Sequence, residues 1–316
     1  MMVRILFMGT PELARTSLAA LLGVNEFEVV GVVTQPDRPK GRELRLQPSP
    51  VKELALSRQI PVLQPERARD PAFVAQLAQL QPDLIAVAAF GQILPTSILE
   101  LPRYGCLNVH TSLLPRYRGA APIQWAILND EAETGVTIMK MDAGMDTGAI
   151  VTQEKTVISP EDNAQTLHER LGAMGARLLA RTIPDYVAGK VLPQPQPTEG
   201  VSLAPKIKKQ DGQIDWSQPA RTIWNRVRGL VPWPGAFTWV TAQEQRPLLK
   251  IWEAEVVSDS NIGQPGRILR TDKGGIVVTC GSGALRLIVL QREGGRRLSA
   301  TEFLKGHPLR PEEVLG

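Results

Sequence analysis

Three polar side chains with complementary chemistry occur close together in the sequence: the amide of Asn108, the imidazole of His110 and the carboxylate of Asp146. An amide can stabilise a developing oxyanion, an imidazole can donate or accept a proton, and a carboxylate can orient the imidazole. Asn108 and His110 close the apolar run CLNVH, and Asp146 lies in a glycine-rich turn. The set predicts an acyl transfer in which the substrate itself supplies the nucleophile.

Other kinds of site are disfavoured by the spacing of the neighbouring residues. Ser112 is followed by Leu-Leu-Pro and has no G-x-S-x-G pattern around it, which argues against a covalent serine mechanism. The turn from Asp142 to Gly148 differs from a calcium loop, because Gly144 occupies its third position and no glutamate its twelfth. His110 and His168 have no nearby Cys or His partners. We therefore expect no metal site.

Alternating strands and helices are predicted to position these side chains. A strand at Val3–Met8 leads into a helix that ends near Leu22, and further strands are predicted at residues 27–34, 60–63, 84–88 and 106–110. This alternation predicts an α/β fold with an open, Rossmann-like, mostly parallel sheet, whose ligands bind beyond the carboxyl ends of the strands. Asn108 and His110 lie at such an end. Only Gly9 is present in the opening turn, which disfavours a dinucleotide site.

A change of composition predicts a second domain. After a predicted helix at residues 162–187, the chain becomes proline-rich and then basic. We predict a catalytic domain at residues 1–189, an interdomain linker at 190–206 and a second domain at 207–316. One helix and several short strands are predicted in the second domain, at residues 219–230 and at 237–240, 248–254, 266–269, 276–279 and 284–290. This pattern predicts a small OB-like β-barrel.

Composition and charge limit the class of protein. The chain has 316 residues, of which 43% are hydrophobic, and no apolar run reaches the roughly 18 residues that cross a bilayer. We read no targeting segment. Cys106 and Cys280 lie in separate apolar runs, which predicts buried free thiols and a reducing cytoplasm. Residues 1–200 carry a net charge of −2 and residues 201–316 a net charge of +6, so a polyanionic partner is plausible.

A long polar connection at Gln35–Pro50 contains four basic residues, namely Arg38, Lys40, Arg42 and Arg45. Connections of this length inside a compact domain are uncommon unless they have a function. Two interpretations stay open from the residues alone. The segment is either an ordinary surface loop or a basic flap that orders on a phosphate-bearing substrate.

Several motifs together resemble the 10-formyltetrahydrofolate-dependent formyltransferases. The resemblance rests on NVHTSLLP at residues 108–115, RYRG at 116–119 and DAGMDTG at 142–148. Further segments resemble the group within this family that acts on methionyl-tRNA: FMGTP at 7–11, TQPDRP at 34–39, PSPVK at 48–52, GAAPIQ at 119–124 and PWP at 232–234. The resemblance covers essentially the full chain.

The resemblance implies transfer of a formyl group from N10 of 10-formyltetrahydrofolate to the α-amino group of methionine on initiator tRNA. It assigns catalysis to Asn108, His110 and Asp146. It assigns folate binding to the backbone of four consecutive residues, Ser112, Leu113, Leu114 and Pro115. It assigns tRNA contacts to the OB-like domain and to basic residues, namely Arg38, Lys40, Arg42, Arg45 and Lys206. A cytoplasmic monomer without a metal is expected.

Two positions depart from the family pattern. Glu43 follows Arg42 where many relatives have glycine and lysines, so the flap is less basic than usual. Thr111 stands where glycine or proline is usual. If only the neighbouring backbone contacts the folate, the change at Thr111 has little effect.

Two other functions remain alternatives. A relative that formylates a small amine, such as a nucleotide-linked amino sugar or glycinamide ribonucleotide, would share Asn108, His110 and Asp146 but would need no basic flap. A non-catalytic RNA-binding protein would have kept the fold alone. The intact set of three polar residues argues against the second alternative, and a folate-dependent turnover assay separates it from an enzyme.

Overall fold

The structure is a computed structural model, and it describes residues 2–40, 45–241, 246–258 and 263–316. The chain divides into two compact units, and each is built from three segments. The first unit comprises Met1–Pro122, Glu133–Val157 and His168–Ala204. The second comprises Ile123–Ala132, Ile158–Leu167 and Pro205–Gly316. Residues 190–204, within the segment predicted as a linker, therefore pack with the first unit, and the predicted domain boundaries stay a prediction.

Strands β1–β9 are, in chain order, Val3–Gly9, Phe27–Val33, Arg38–Lys40, Arg45–Gln47, Val62–Leu63, Leu84–Ala88, Cys106–His110, Glu133–Lys140 and Ala149–Val157. Seven of them form one sheet in the order β5-β2-β1-β6-β7-β8-β9. The first five strands in this order, β5, β2, β1, β6 and β7, run parallel to one another. Strand β8 is antiparallel to β7, and β9 is antiparallel to β8. The predicted mostly parallel α/β sheet is confirmed. Strands β3 and β4 form a separate antiparallel hairpin.

Helices α1–α6 are Glu12–Leu22, Pro50–Ser57, Pro71–Gln79, Thr96–Leu99, Pro122–Leu128 and Ala164–Val187. Local sequence explains where two of them begin. The Ser49 side chain accepts a hydrogen bond from the Lys52 amide, and Pro50 occupies the first turn of α2. Asp70 caps α3 in the same way, followed by Pro71. Fully buried side chains of β1, from Ile5 to Met8, place this strand in the centre of the sheet.

The second unit contains β10–β15, which are Ala236–Trp239, Leu248–Val257, Ile268–Asp272, Gly275–Thr279, Ala284–Arg292 and Leu298–Ser299. Its helices are α7 at Ala220–Gly229 and α8 at Ala300–Gly306. The strands form one antiparallel sheet in the order β10-β11-β14-β13-β12, with β15 beside β14. Residues next to the two edge strands form bridges to the same short segment, Val240 to Leu315 and Arg267 to Val314. These bridges connect the edges of the sheet, as in a barrel.

Some predicted elements differ from the structure. The strand predicted at 60–63 is limited to Val62–Leu63, and the one predicted at 266–269 lies later, at Ile268–Asp272. The antiparallel pair β8 and β9 was not among the predicted strands. In the described part of the chain, no helix has the length and apolar character that a membrane crossing requires.

Candidate active site

Strand β7 delivers Asn108 and His110 to the same face of the sheet, because residues two apart on a strand point the same way. Asn108 lies opposite Val87 of β6 and Met139 of β8, and His110 lies opposite Thr137 of β8. The Asn108 side chain is half-buried, and no described residue hydrogen-bonds its amide. This amide is therefore available to a bound substrate.

The imidazole of His110 is buried, and a contact with the backbone carbonyl of Tyr117 fixes its orientation. His110 Nε2 lies 2.9 Å from the Tyr117 carbonyl oxygen. Because a carbonyl can only accept, Nε2 carries a proton and donates it to this bond. In the neutral ring, Nδ1 is then unprotonated, and it lies 3.7 Å from Asp146 Oδ2. Nδ1 is therefore the ring nitrogen that faces the carboxylate.

The carboxylate of Asp146 is held in place by the backbone of Gly119. Asp146 Oδ2 accepts a hydrogen bond of 2.8 Å from the Gly119 amide. Gly119 has a φ of +120°, and a Cβ there would lie 2.7 Å from the Ala204 carbonyl oxygen, so only glycine fits. The 3.7 Å between Asp146 and His110 exceeds a hydrogen bond, and the two groups are charge partners when His110 is protonated.

The second acidic residue of the turn, Asp142, has a different role. Its Oδ1 accepts hydrogen bonds from the Gly144 amide at 3.0 Å and from Thr147 Oγ1 at 2.7 Å. Both partners lie within the turn itself, and Asp142 is exposed. Asp142 therefore shapes the turn that presents Asp146.

The segment predicted to bind folate, Ser112–Pro115, is anchored by the neighbouring strands. Thr137 Oγ1 donates to the Ser112 carbonyl oxygen at 2.7 Å and accepts from the Leu114 amide at 3.1 Å. Gln153 Nε2 donates to the Leu114 carbonyl oxygen at 2.9 Å. A carbonyl has a second lone pair, so these groups keep one acceptor site for a ligand. Folate binding by this backbone stays a prediction.

The Ser112 hydroxyl is fully buried and donates a hydrogen bond of 2.6 Å to the Arg116 carbonyl oxygen. This bond occupies the proton that a nucleophilic serine would give to a base. In agreement with the sequence, the hydroxyl has a structural role. The peptide bond between Leu114 and Pro115 is cis.

The residues predicted to contact tRNA lie in both units. Arg38 is exposed on β3, and Lys40 and Arg45 pair through their backbones across the β3–β4 hairpin. Arg42 lies outside the described residues. Lys206 is exposed in the second unit. Their assignment to tRNA stays a prediction.

A polar cluster fixes the start of the hairpin. Lys52 Nζ lies 2.5 Å from Asp37 Oδ2 and donates to Gln64 Oε1 at 2.7 Å. Gln64 Nε2 in turn donates to Asp37 Oδ1 at 2.8 Å and to the Gln35 carbonyl oxygen at 2.9 Å. Hydrogen bonds from Lys52 and then Gln64 lower the pKa of Asp37 below its ordinary value. This cluster, Asp37–Lys52–Gln64, holds the residue that precedes β3.

Sequence reasoning missed four residues that contact the predicted site residues: Tyr117, Gly119, Thr137 and Gln196, whose Nε2 donates to the carbonyl oxygens of Asp146 and Gly148. They act through a backbone carbonyl, a backbone amide, a buried hydroxyl and a side-chain amide, which are groups found throughout any chain. Only Gly119 had a signal, because a glycine after RYR suggests a backbone position with a positive φ.

The two cysteines are buried, and no metal-binding cluster occurs in the part of the chain that the structure describes. Burial raises the pKa of the Cys106 thiol to about 12 and that of Cys280 to about 12, so both are inert thiols. Among the residues that the structure describes, no group of three or more His, Cys, Asp or Glu side chains is arranged to hold a metal ion.

Comparison with known families gives two matches along the chain. Residues 2–183 match the formyl transferase family, and residues 206–308 match the formyl transferase C-terminal domain. Solved structures with a similar fold include an N-formyltransferase from Helicobacter canadensis in complex with folinic acid and dTDP-3-aminofucose. It has a TM-score of 0.66 and 20% identity, and the match covers 92% of this chain and all of that one. HypX from Aquifex aeolicus in complex with tetrahydrofolic acid has a TM-score of 0.61 and 17% identity. That match covers 100% of this chain and 51% of the HypX chain.

Curated relatives are much more similar. The methionyl-tRNA formyltransferase of Geobacter metallireducens is 49% identical over 99% of this chain and 98% of its own length. The methionyl-tRNA formyltransferase of Trichlorobacter lovleyi is 51% identical over 97% of this chain and 95% of its own length. The one from Myxococcus xanthus is 49% identical over 98% of this chain and 96% of its own length. The chain therefore belongs to the formyl transferase family, in the group of its methionyl-tRNA formyltransferases.

Proposed function

We propose that this enzyme transfers the formyl group of 10-formyltetrahydrofolate to the α-amino group of methionine on initiator methionyl-tRNA, and that Asn108, His110 and Asp146 carry the reaction. The observation that carries the assignment of residues is the fixed His110–Asp146 pair, with Nδ1 of the ring 3.7 Å from the carboxylate. Full-length similarity to methionyl-tRNA formyltransferases supports the choice of substrates. We also propose that the enzyme acts in the cytoplasm.

The first chemical task is stabilisation of negative charge. When the neutral amine attacks the formyl carbon, the formyl oxygen becomes an oxyanion. The Asn108 amide donates a hydrogen bond to it, and protonated His110 donates a second one from Nδ1. Because Nε2 is already bonded to the Tyr117 carbonyl oxygen, Nδ1 is the only ring nitrogen that can do so.

The second task is movement of a proton. The attacking nitrogen loses a proton, and N10 of the folate gains one as its bond to the formyl carbon breaks, so the reaction needs no net acid or base. The Asp146 carboxylate lies 3.7 Å from Nδ1 and is the charge partner of the ring when His110 is protonated. We propose that Asp146 also passes the proton, through water, between the two nitrogens.

A direct assay tests the proposal. The protein is incubated with 10-formyltetrahydrofolate and either initiator methionyl-tRNA, elongator methionyl-tRNA or a nucleotide-linked amino sugar. We expect formyl-methionine from the initiator tRNA and far less product from the other two acceptors. An absence of product from the initiator tRNA, or faster turnover of the amino sugar, would reject the proposal. Light scattering on the same sample tests the expected monomer of 34.6 kDa.

A further inference from the structure

The side chain of Gln196 connects both sides of the candidate active site. Its Nε2 donates hydrogen bonds to the carbonyl oxygens of Asp146 at 2.8 Å and Gly148 at 2.7 Å. Its Oε1 accepts from Arg118, at 3.1 Å from Nε and 2.7 Å from Nη2. We propose that Gln196 is a positioning residue that sets the place of the Asp146 carboxylate beside His110. This inference rests on the proposed catalytic role of Asp146.

The chemistry of the partners fixes the orientation of the amide. Two carbonyl oxygens on one side can only accept, so the NH₂ group of Gln196 must face them. The guanidinium of Arg118 can only donate, so the oxygen of Gln196 must face it. Only an amide of this length can make all four bonds. A carboxylate lacks the N–H donors, and an aliphatic side chain lacks both the donors and the acceptor oxygen.

The bonds close a ring that includes the catalytic carboxylate. Arg118 is followed by Gly119, whose amide donates to Asp146 Oδ2. From Asp146 the ring returns through its own carbonyl oxygen to Gln196, and through Gln196 to Arg118. A shift of Gln196 therefore changes the distance between the Gly119 amide and the Asp146 carboxylate.

The conformation of Asp146 explains why the turn needs this support. Asp146 has a φ of +53°, in the left-handed region that is unfavourable for residues other than glycine. The two bonds from Gln196 bind the carbonyl oxygens at Asp146 and Gly148, on both sides of Thr147. They stabilise the turn in the conformation that aims the carboxylate at His110.

A backbone strap supports Gln196 and Arg118 together. The strap, residues 194–204, pairs with Ile150 through Gln194 and with Arg118 through Ser202 and Ala204. The Gln194 amide donates to the Ile150 carbonyl oxygen at 2.7 Å, and the Ile150 amide donates to the Gln194 carbonyl oxygen at 2.8 Å. The Arg118 amide donates to the Ser202 carbonyl oxygen at 2.9 Å. Gln196 thus projects from a segment that is itself anchored on both sides.

The chain offers a matched control for a test of Gln196. Gln194 lies on the same strap two residues earlier, and its side-chain amide contacts only the Leu192 carbonyl oxygen, at 3.3 Å, among the described residues. Gln196→Met removes the four bonds and keeps the side-chain volume. Gln194→Met makes the same chemical change without touching the ring. Gln196→Glu keeps the acceptor for Arg118 and removes the donors to the turn.

We expect Gln196→Met and Gln196→Glu to lower kcat about 10- to 100-fold, because a displacement of about 1 Å in a catalytic group can cost a factor of 10². The KM for folate and the melting temperature should change little, and Gln194→Met should behave as wild type. The pH profile of kcat should shift in the two Gln196 variants, since the surroundings of the His110–Asp146 pair change. Unchanged kcat, or equal losses in both Met variants, would reject the inference.

A double variant shows whether Gln196 acts through Asp146. In an Asp146→Asn background, Gln196→Met should cause almost no further loss of kcat. If the two residues acted independently, the fold-losses of the single variants would multiply in the double variant. A multiplied loss would overturn the inference.

A measurement without turnover separates this inference from the proposed function. In protein labelled with ¹⁵N-glycine, the Gly119 amide should exchange slowly in wild type and in Gln194→Met, and much faster in Gln196→Met. Slow exchange in Gln196→Met would reject the positioning role. If wild type made no formyl-methionine, the proposed function would fail while the exchange data still decided the role of Gln196 in placing Asp146.

Discussion

At the scale of residues, the hydrogen bond between His110 Nε2 and the Tyr117 carbonyl oxygen fixes which ring nitrogen faces Asp146. A backbone carbonyl cannot change its role as acceptor, so the ring cannot exchange tautomers without losing this bond. Nδ1 therefore keeps its place next to Asp146. In the proposed mechanism, the position of the proton depends on a main-chain atom, and substitution of the Tyr117 side chain would leave that atom in place.

Substitution of Asn108 tests the oxyanion role. Asn108→Ala should lower kcat by about 10²–10³, the usual cost of removing one oxyanion donor. Its stability should be close to wild type, because the half-buried amide has no hydrogen-bond partner among the described residues that would be left unpaired. Single-turnover formylation and thermal unfolding measure the two effects.

Asn108→Asp is a second variant that changes the chemistry of the side chain without changing its size. It keeps the shape of the side chain but replaces the donors with acceptors, so we expect a loss at least as large as that of Asn108→Ala. Near-normal turnover in either variant would defeat the assignment of Asn108.

At the scale of elements, the parallel part of the sheet and most of the helices were predictable, because β-rich runs alternate with amphipathic segments. Strand β8 was missed because its interior is buried on both faces, so it lacks the alternation of polar and apolar residues that marks a half-buried strand. Its antiparallel direction depends on its pairing with β7 and β9, which the sequence does not encode locally.

The candidate site was likewise only partly predictable from the sequence. The types of Asn108, His110 and Asp146 predicted an acyl transfer, and the structure brings the His110 and Asp146 side chains to within 3.7 Å of each other. The catalytic role of the three residues stays a prediction. Gln196 did not stand out, because it lies 50 residues from Asp146 in a proline-rich segment that looks like a linker. Its role depends on long-range contacts, and propensity and periodicity carry no information about them.

The cluster Asp37–Lys52–Gln64 leads to a prediction about the β3–β4 hairpin. Lys52→Met removes the cation that holds Asp37, so the start of the hairpin should lose its fixed position. We expect the KM for tRNA to rise roughly fivefold, the equivalent of about 1 kcal/mol, while the KM for folate stays constant. Steady-state kinetics with each substrate varied in turn measures this separation.

The control for Lys52→Met is Lys155→Met, which breaks an exposed ion pair with Glu133 elsewhere in the first unit. It should change neither KM. A rise in the KM for folate with Lys52→Met, or an equal effect in both variants, would contradict the anchoring role.

The pKa of Asp37 gives a pH-dependent readout of the same cluster. Hydrogen bonds from Lys52 and Gln64 lower this pKa below the ordinary value of 3.8, so the charged cluster stabilises the fold above that pH. This contribution is lost as the pH falls through the depressed pKa. Titration of the Asp37 carboxyl by ¹³C NMR should show the low pKa in wild type and in Lys155→Met, and a return toward 3.8 in Lys52→Met. An unchanged pKa in Lys52→Met would contradict the contact.

At the scale of the whole molecule, the uneven charge predicts how tRNA binding responds to salt. Residues 201–316 carry a net charge of +6, and the chain as a whole carries +4. If basic side chains neutralise phosphates, the logarithm of the affinity should fall linearly with the logarithm of the salt concentration. Lys206→Gln should reduce the slope by about 1, which fluorescence titration at several salt concentrations can measure.

Lys190→Gln is the control for this titration, since Lys190 is an exposed lysine that already pairs with Asp185. Its slope should match that of wild type. Affinity that does not depend on salt would contradict the electrostatic account of tRNA binding, and an unchanged slope for Lys206→Gln would remove Lys206 from the contact.

The strap at residues 194–204 also has a consequence for the order of events during synthesis. His110 and Asp146 leave the ribosome early, but the glutamine that closes their ring of hydrogen bonds follows about 50 residues after Asp146. The sheet can assemble from nascent chain before the strap emerges, whereas the acidic turn lacks its outer support until then. A nascent chain that has emerged only as far as residue 193 should therefore contain a folded sheet with an unsupported acidic turn, and emergence of the next ten or so residues should order that turn.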